Sequence, residues 1–173
     1  MNILGVDIST TTIGIAIVNE NEKLLYYEYM KPKGNNFIEK ADSVSLLIQN
    51  LFQKHEIDKV IIETPNVRFS PGKSSAQTIA TILRFNGIIT YILNLYSKTP
   101  SQEIFVTTAR KKVTGRGMFP AGTAKKEVYL FLENKYKKQF PEFEKHKKGK
   151  EIGLPIKEAY DVCDAWILAL NGL

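Results

Sequence analysis

Four carboxylates stand where they could do chemistry together: Asp7, Glu63, Asp161 and Asp164. Asp7 closes the apolar run "ILGVD" and Glu63 closes "VIIE", while Asp161 and Asp164 lie three apart in "DVCDAWILA". That spacing puts the last two on one helical face. Their neighbours Val162, Cys163, Ala165, Trp166 and Ile167 are apolar, and a charged pair inside such a segment needs a partner. Taken singly, each has a plainer explanation: Asp7 as a turn cap through Ser9 or Thr10, Glu63 as a surface strand end, the Asp pair as a solvated face. Taken together they form an all-oxygen set. At an effective dielectric near 20, each like-charged pair at about 4 Å costs about 4 kcal/mol. Divalent cations remove that repulsion, and Mg²⁺ is held by oxygen ligands while keeping several waters. Two such ions about 3.5–4 Å apart suit in-line hydrolysis of a phosphodiester.

For these groups to meet, the strands ending in Asp7 and Glu63 must be neighbours, because sites in α/β sheets collect at the carboxyl ends of strands. Residues 2–8, 12–18 and 23–30 read as three strands at hairpin spacing. Apolar residues from Phe37 to Phe52 recur at helical spacing and predict a helix over 37–54. "KVIIET" is a short strand, apolar on both faces, that suits the centre of a sheet. The loop "NVRFSPGKSS" follows, then a long apolar helix over about 75–97 and a strand over 103–107. A short basic helix, the loop "GRGMFPAG", a helix over about 123–138, a basic stretch "FEKHKKGKEIGLP" and a last helix over about 156–171 complete the chain. This order predicts one α/β domain over 1–173. Its mixed five-stranded sheet has three antiparallel strands and two more added by right-handed crossovers, with helices at its sides.

Bulk properties narrow the partners. The 173 residues are 43% hydrophobic and 24% charged, as in ordinary globular domains. No unbroken apolar run approaches the roughly 20 residues of a membrane span, and no leader pattern is visible, so a cytoplasmic setting without membrane contact is expected. The single cysteine, Cys163, allows no internal disulfide, and His55 and His146 lack zinc-ligand spacing. Net charge is +6, but from Lys98 to Lys150 fourteen Lys and Arg face five Glu, a balance of +9, against −3 elsewhere. A basic half suits a polyanion bound on one side.

The ordered set "LGVDIST…G", "VIIET" and "DVCDAWILA" resembles the RNase H-like nuclease superfamily, and within it the RuvC-type Holliday junction resolvases. Between these pieces, "TTARKKVTGRG…GTAKKEV" is similar to that family's basic active-site segment. The resemblance spans nearly the whole chain. It implies an RNase H-like fold and a homodimer that clamps branched DNA, a four-way junction, and makes paired nicks. It further implies 5′-phosphate and 3′-hydroxyl ends, two Mg²⁺ per site with Mn²⁺ substituting, and no small-molecule cofactor. By position, Asp7, Glu63, Asp161 and Asp164 would ligate metal, Lys126 would lie near the scissile phosphate, and Lys111 or Lys112 would match a second lysine. Arg110, Lys111, Lys112, Arg116 and Lys125 would contact DNA, with Arg68, Phe69 and Lys73 from the loop after Glu63. Helix 75–97 would form a dimer interface.

The chain departs from the family where Ile8 and Ser9 follow the aspartate in place of Pro-Gly, and where Asn66 holds the position of an aromatic wedge. Phe69 would be the wedge instead, and looser specificity for branched DNA would fit equally. Two other readings fail on the residues. "GMFPAGTAKK" lacks the Lys-Ser/Thr that a P-loop needs straight after its second glycine, and Thr123 is expected to cap the next helix. "VDISTTTIG" also resembles the phosphate loop of actin-like sugar kinases, but it has Ser9 where those have glycine, and that architecture gives the Asp161–Asp164 pair no task. A module of the same fold that grips branched DNA without cutting would have no use for four carboxylates facing phosphates.

Overall fold

A computed structural model describes residues 1–65, 75–149 and 151–173. Five strands form one sheet in the order β3-β2-β1-β4-β5. They are β1 (Asn2–Ile8), β2 (Ile13–Asn19), β3 (Leu24–Met30), β4 (Lys59–Glu63) and β5 (Gln102–Ile104). The first three are antiparallel neighbours, while β4 and β5 run parallel to β1. The helices are α1 (Phe37–Lys54), α2 (Ala76–Tyr96), α3 (Val106–Thr114), α4 (Ala124–Lys135) and α5 (Lys157–Asn171). The expected mixed sheet is present. The fifth strand is shorter than expected, because Phe105 takes the N-cap position of α3 and Val106 and Thr107 enter that helix.

Strand periodicity sorts the core into two layers. Leu4, Val6 and Ile8 of β1 face α1 and α2, where they pack with Val44, Ile48, Phe85, Ile89 and Leu93. Ile3 faces the opposite layer with Ile61, Val128, Leu132, Cys163 and Trp166. By the same alternation Gly5 and Asp7 belong to this second layer, the one built by α3, α4 and α5. Helix α2 has the length and mean hydropathy of a membrane span, although Gln77, Arg84, Asn86 and Asn94 break its apolar sequence. Its Phe85, Ile89 and Leu93 are packed in the core.

Candidate active site

The turn after Asp7 is closed by its own hydroxyls. Ser9 Oγ accepts from the Thr12 backbone N–H at 3.0 Å and donates to the Thr12 carbonyl at 2.8 Å. The capping task considered for Asp7 thus falls to Ser9, and Asp7 is left facing α5. Register places Asp7 opposite Gly14 on β2, and Val6 beside Ile62 on β4, so Glu63 lies next to Asp7 one step further on. Asp7 and Glu63 are within hydrogen-bonding reach of each other.

Gly5 and Gly14 explain how α5 reaches this spot. A Cβ on Gly5 would sit 2.0 Å from the Ala165 carbonyl oxygen, and one on Gly14 would sit 2.3 Å from that of Asp161. Only bare backbone lets α5 lie flat across β1 and β2, which brings its Asp161–Asp164 face over the end of β1. At the start of α5, Lys31 and Glu158 pair at 2.6 Å and tie its first turn to the chain just past β3.

Asp7, Asp161 and Asp164 are 6%, 5% and 1% exposed. Two cations meet them. The guanidinium of Arg110, on α3, forks onto Asp164: Nη2 donates to both carboxylate oxygens at 2.8 Å and Nε donates to Oδ1 at 3.2 Å. The ammonium of Lys125, on the first turn of α4, lies 2.5 Å from Asp161, 3.6 Å from Asp164 and 3.7 Å from Asp7. Burial pushes the Asp7 carboxyl well above its ordinary range, and the adjacent Glu63 pushes further in the same direction, while Lys125 opposes. Burial also raises Asp164, against the pull of Arg110 and with the repulsion of Asp7. For Lys125, burial disfavours the charged form, but Asp7, Asp164 and Asp161 outweigh it and hold the ammonium above its ordinary pKa.

The structure therefore brings Asp7, Glu63, Asp161 and Asp164 to one place, and it redistributes the basic residues. The lysine among the carboxylates is Lys125 rather than Lys126. Lys126 is one step of about 100° around α4, exposed, and without an ion-pair partner among the described residues. Arg110 is buried against Asp164 and not displayed to DNA, which corrects its expected placement. Lys112 is exposed and donates to the Asn171 carbonyl at 2.8 Å, capping the end of α5. Lys111 and Arg116 are exposed, as a surface for phosphates requires. Thr123 occupies the N-cap position of α4, but its hydroxyl donates to the Pro120 carbonyl instead of capping the helix. Arg68, Phe69 and Lys73 lie outside the described residues. Arg110 and Lys125 were both visible in the sequence as basic residues. Their pairing with particular carboxylates depends on where α3 and α4 begin, which local pattern sets only to within a residue or two.

The donor set fits a divalent cation. Every ligand is a carboxylate oxygen, the choice of hard ions. Four carboxylates against Arg110 and Lys125 leave a formal balance of −2. As they stand, no three acidic side chains among the described residues are gathered tightly enough to hold one ion, because the ammonium of Lys125 takes the space between Asp7, Asp161 and Asp164.

No protein-family model matches the sequence, and no curated protein does. Solved structures do. Thermus thermophilus RuvC in complex with a Holliday junction substrate superposes with a TM-score of 0.68 at 15% identity, over 99% of this chain and 91% of that one. The yeast mitochondrial Holliday junction resolvase Ydc2 gives 0.55 at 11% identity, over 98% and 76%. The fowlpox virus resolvase, solved with Holliday junction DNA, gives 0.51 at 16% identity, over 99% and 96%. The chain has the RNase H-like fold of the RuvC-type resolvases.

Proposed function

We propose that this protein is a divalent-metal-dependent endonuclease that resolves four-way DNA junctions by hydrolysing phosphodiester bonds. The observation that carries this reading is the convergence of Asp7, Asp161 and Asp164 on one cation position, with Glu63 beside Asp7, at the rim of a sheet shared with junction resolvases. With exposed Lys111, Arg116 and Lys126 on or next to the two helices that supply Arg110 and Lys125, this acidic rim would receive a polyanion whose scissile phosphate is drawn in only with cations present.

Asp7, Glu63, Asp161 and Asp164 would hold Mg²⁺ or Mn²⁺. A bound divalent ion supplies Lewis acidity toward the phosphate and lowers the pKa of an attacking water. The remaining tasks belong to the chain. Arg110 holds Asp164 in a single orientation through a forked pair. Lys125 balances the carboxylates without metal and is within reach of a phosphate oxygen once their charge is met otherwise. Burial of Asp7 and Asp164 where α5 packs on the sheet limits the water that could screen them.

The pairing of nicks across a junction requires two sites. We assign the homodimer contact to the outer face of α2, where Leu83, Tyr91 and Leu95 are 44%, 65% and 59% exposed and Gly87 leaves open space between them. An apolar face of this kind suits a partner subunit.

The test is a labelled synthetic four-way junction with Mg²⁺. Symmetric paired nicks whose products DNA ligase reseals directly, as 5′-phosphate and 3′-hydroxyl ends allow, are the expected result. Binding without nicking at any Mg²⁺ or Mn²⁺ concentration would leave a junction-binding module and remove the nuclease.

A further inference from the structure

Between α4 and α5 the chain builds an element to which the cutting site assigns no task. Lys145 and Pro155 form an antiparallel bridge. The His146 N–H donates to the Leu154 carbonyl at 2.9 Å, the Gly153 N–H to the His146 carbonyl at 2.9 Å, and the Ile156 N–H to the Glu144 carbonyl at 3.0 Å. His146 and Glu151 face each other across the two limbs at 3.4 Å. This is a hairpin with a bonded stem, not an open loop.

Its base is bolted to the elements that carry the site. Phe140 and Phe143 pack on Tyr129 of α4 at 5.0 and 5.9 Å between ring centroids, and Phe143 meets Tyr27 of β3 at 5.6 Å. Tyr129 also packs on Tyr160, the residue before Asp161, at 5.7 Å. Aromatic pairs of this geometry add about 0.5–1.5 kcal/mol each beyond burial, so the hairpin is held in a defined direction relative to Lys125 and Asp161.

Its outer part is basic. From Lys145 to Pro155 four lysines stand against one glutamate, a balance of +3. Lys145, Lys147 and Lys148 are exposed and have no ion-pair partner among the described residues.

We infer that this hairpin is a second DNA-contact element, seating Lys145, Lys147 and Lys148 on the phosphates of a duplex arm away from the cut. The inference rests on the reading of the site as one that acts on DNA. It concerns grip and not chemistry, since lysine acts on phosphate as a point charge whatever the base sequence.

The test compares wild type with Lys147→Ala/Lys148→Ala, and with Lys147→Arg/Lys148→Arg, on a junction with long arms, titrated across salt. Loss of two phosphate contacts lowers the magnitude of the slope of log K against log salt by about 1.8, at ~0.9 per phosphate. The alanine variant should show that drop and roughly tenfold weaker binding. Its single-turnover cleavage rate at saturating protein should be unchanged, and the arginine variant should bind like wild type. Equal affinity and slope for wild type and the alanine variant overturn the inference, and so does a cleavage rate that falls with binding intact. Binding that weakens as expected in a protein that cuts nothing keeps the hairpin contact and removes the nuclease reading. A wild type that does not bind DNA removes both.

Discussion

Asp164 and Arg110 form the most buried charge pair of the site, and their pairing is unequal in its consequences. Removing the arginine leaves a carboxylate 1% exposed with only the more distant Lys125 to meet it. Losing one partner of such a pair costs about 3–5 kcal/mol. We expect Arg110→Ala to lower the melting temperature by roughly 6–20 °C, at ~2–4 °C per kcal/mol for a chain of this size, measured by calorimetry. Arg110→Lys keeps the charge, loses the fork, and should recover part of that loss. Lys125 predicts the opposite kind of effect. Its ammonium takes the space that a cation needs among Asp7, Asp161 and Asp164, so Lys125→Ala should bind Mn²⁺ more tightly by titration calorimetry while cleaving more slowly. The raised pKa values of Asp7 and Asp164 set the pH dependence. A carboxyl whose folded pKa is raised stabilises fully below its unfolded value, and that contribution disappears as pH rises through the folded value. The metal-free protein should therefore melt at progressively lower temperature as pH climbs out of the ordinary carboxylate range. Asp7→Asn should flatten that decline, and Mg²⁺ should reverse it by binding the folded state.

Elements position these groups through contacts as close as backbone on backbone. Gly5→Ala would drive a methyl to 2.0 Å from the Ala165 carbonyl oxygen and 2.6 Å from the Ala169 nitrogen. Overpacking costs about 1–3 kcal/mol where side chains can yield, and here the wall is helix backbone. We expect a loss of about 3 kcal/mol or more in urea unfolding, and loss of cleavage, since α5 carries two of the four carboxylates. The outer face of α2 makes a separate claim: Tyr91→Glu should leave the fold intact and convert a dimer to a monomer in sedimentation. The sheet and the four acids were legible because β1 and β4 announce themselves as short apolar runs, each ending in a carboxylate, and because Asp161 and Asp164 keep helical spacing. Gly5 and Gly14 were equally visible, but their reason is a helix that arrives from 150 residues away in the chain. The exchange of Lys126 for Lys125 has the same origin, as one residue of helix register decides which lysine faces the acids.

At the scale of the whole molecule, charge is organised around the end of the sheet. The acids gather where β1, β4 and α5 meet, and α3 and α4 each bring one cation to them, Arg110 at Asp164 and Lys125 among Asp7, Asp161 and Asp164. On the proposed reading a polyanion is held by its edges with one phosphate at the cation site, and binding should weaken steeply with salt. The fold shared with junction resolvases supplies the frame on which the proposed hairpin contact would add grip on the arms. The central claim, that these carboxylates cut DNA and do not merely face it, is tested most directly by single-turnover cleavage of a four-way junction by wild type and Asp7→Asn at equal occupancy in Mg²⁺. The account predicts that Asp7→Asn binds the junction at least as well and cleaves it about 10²–10³-fold more slowly, the scale at which loss of one transition-state contact acts. Cleavage by Asp7→Asn at the wild-type rate would contradict it.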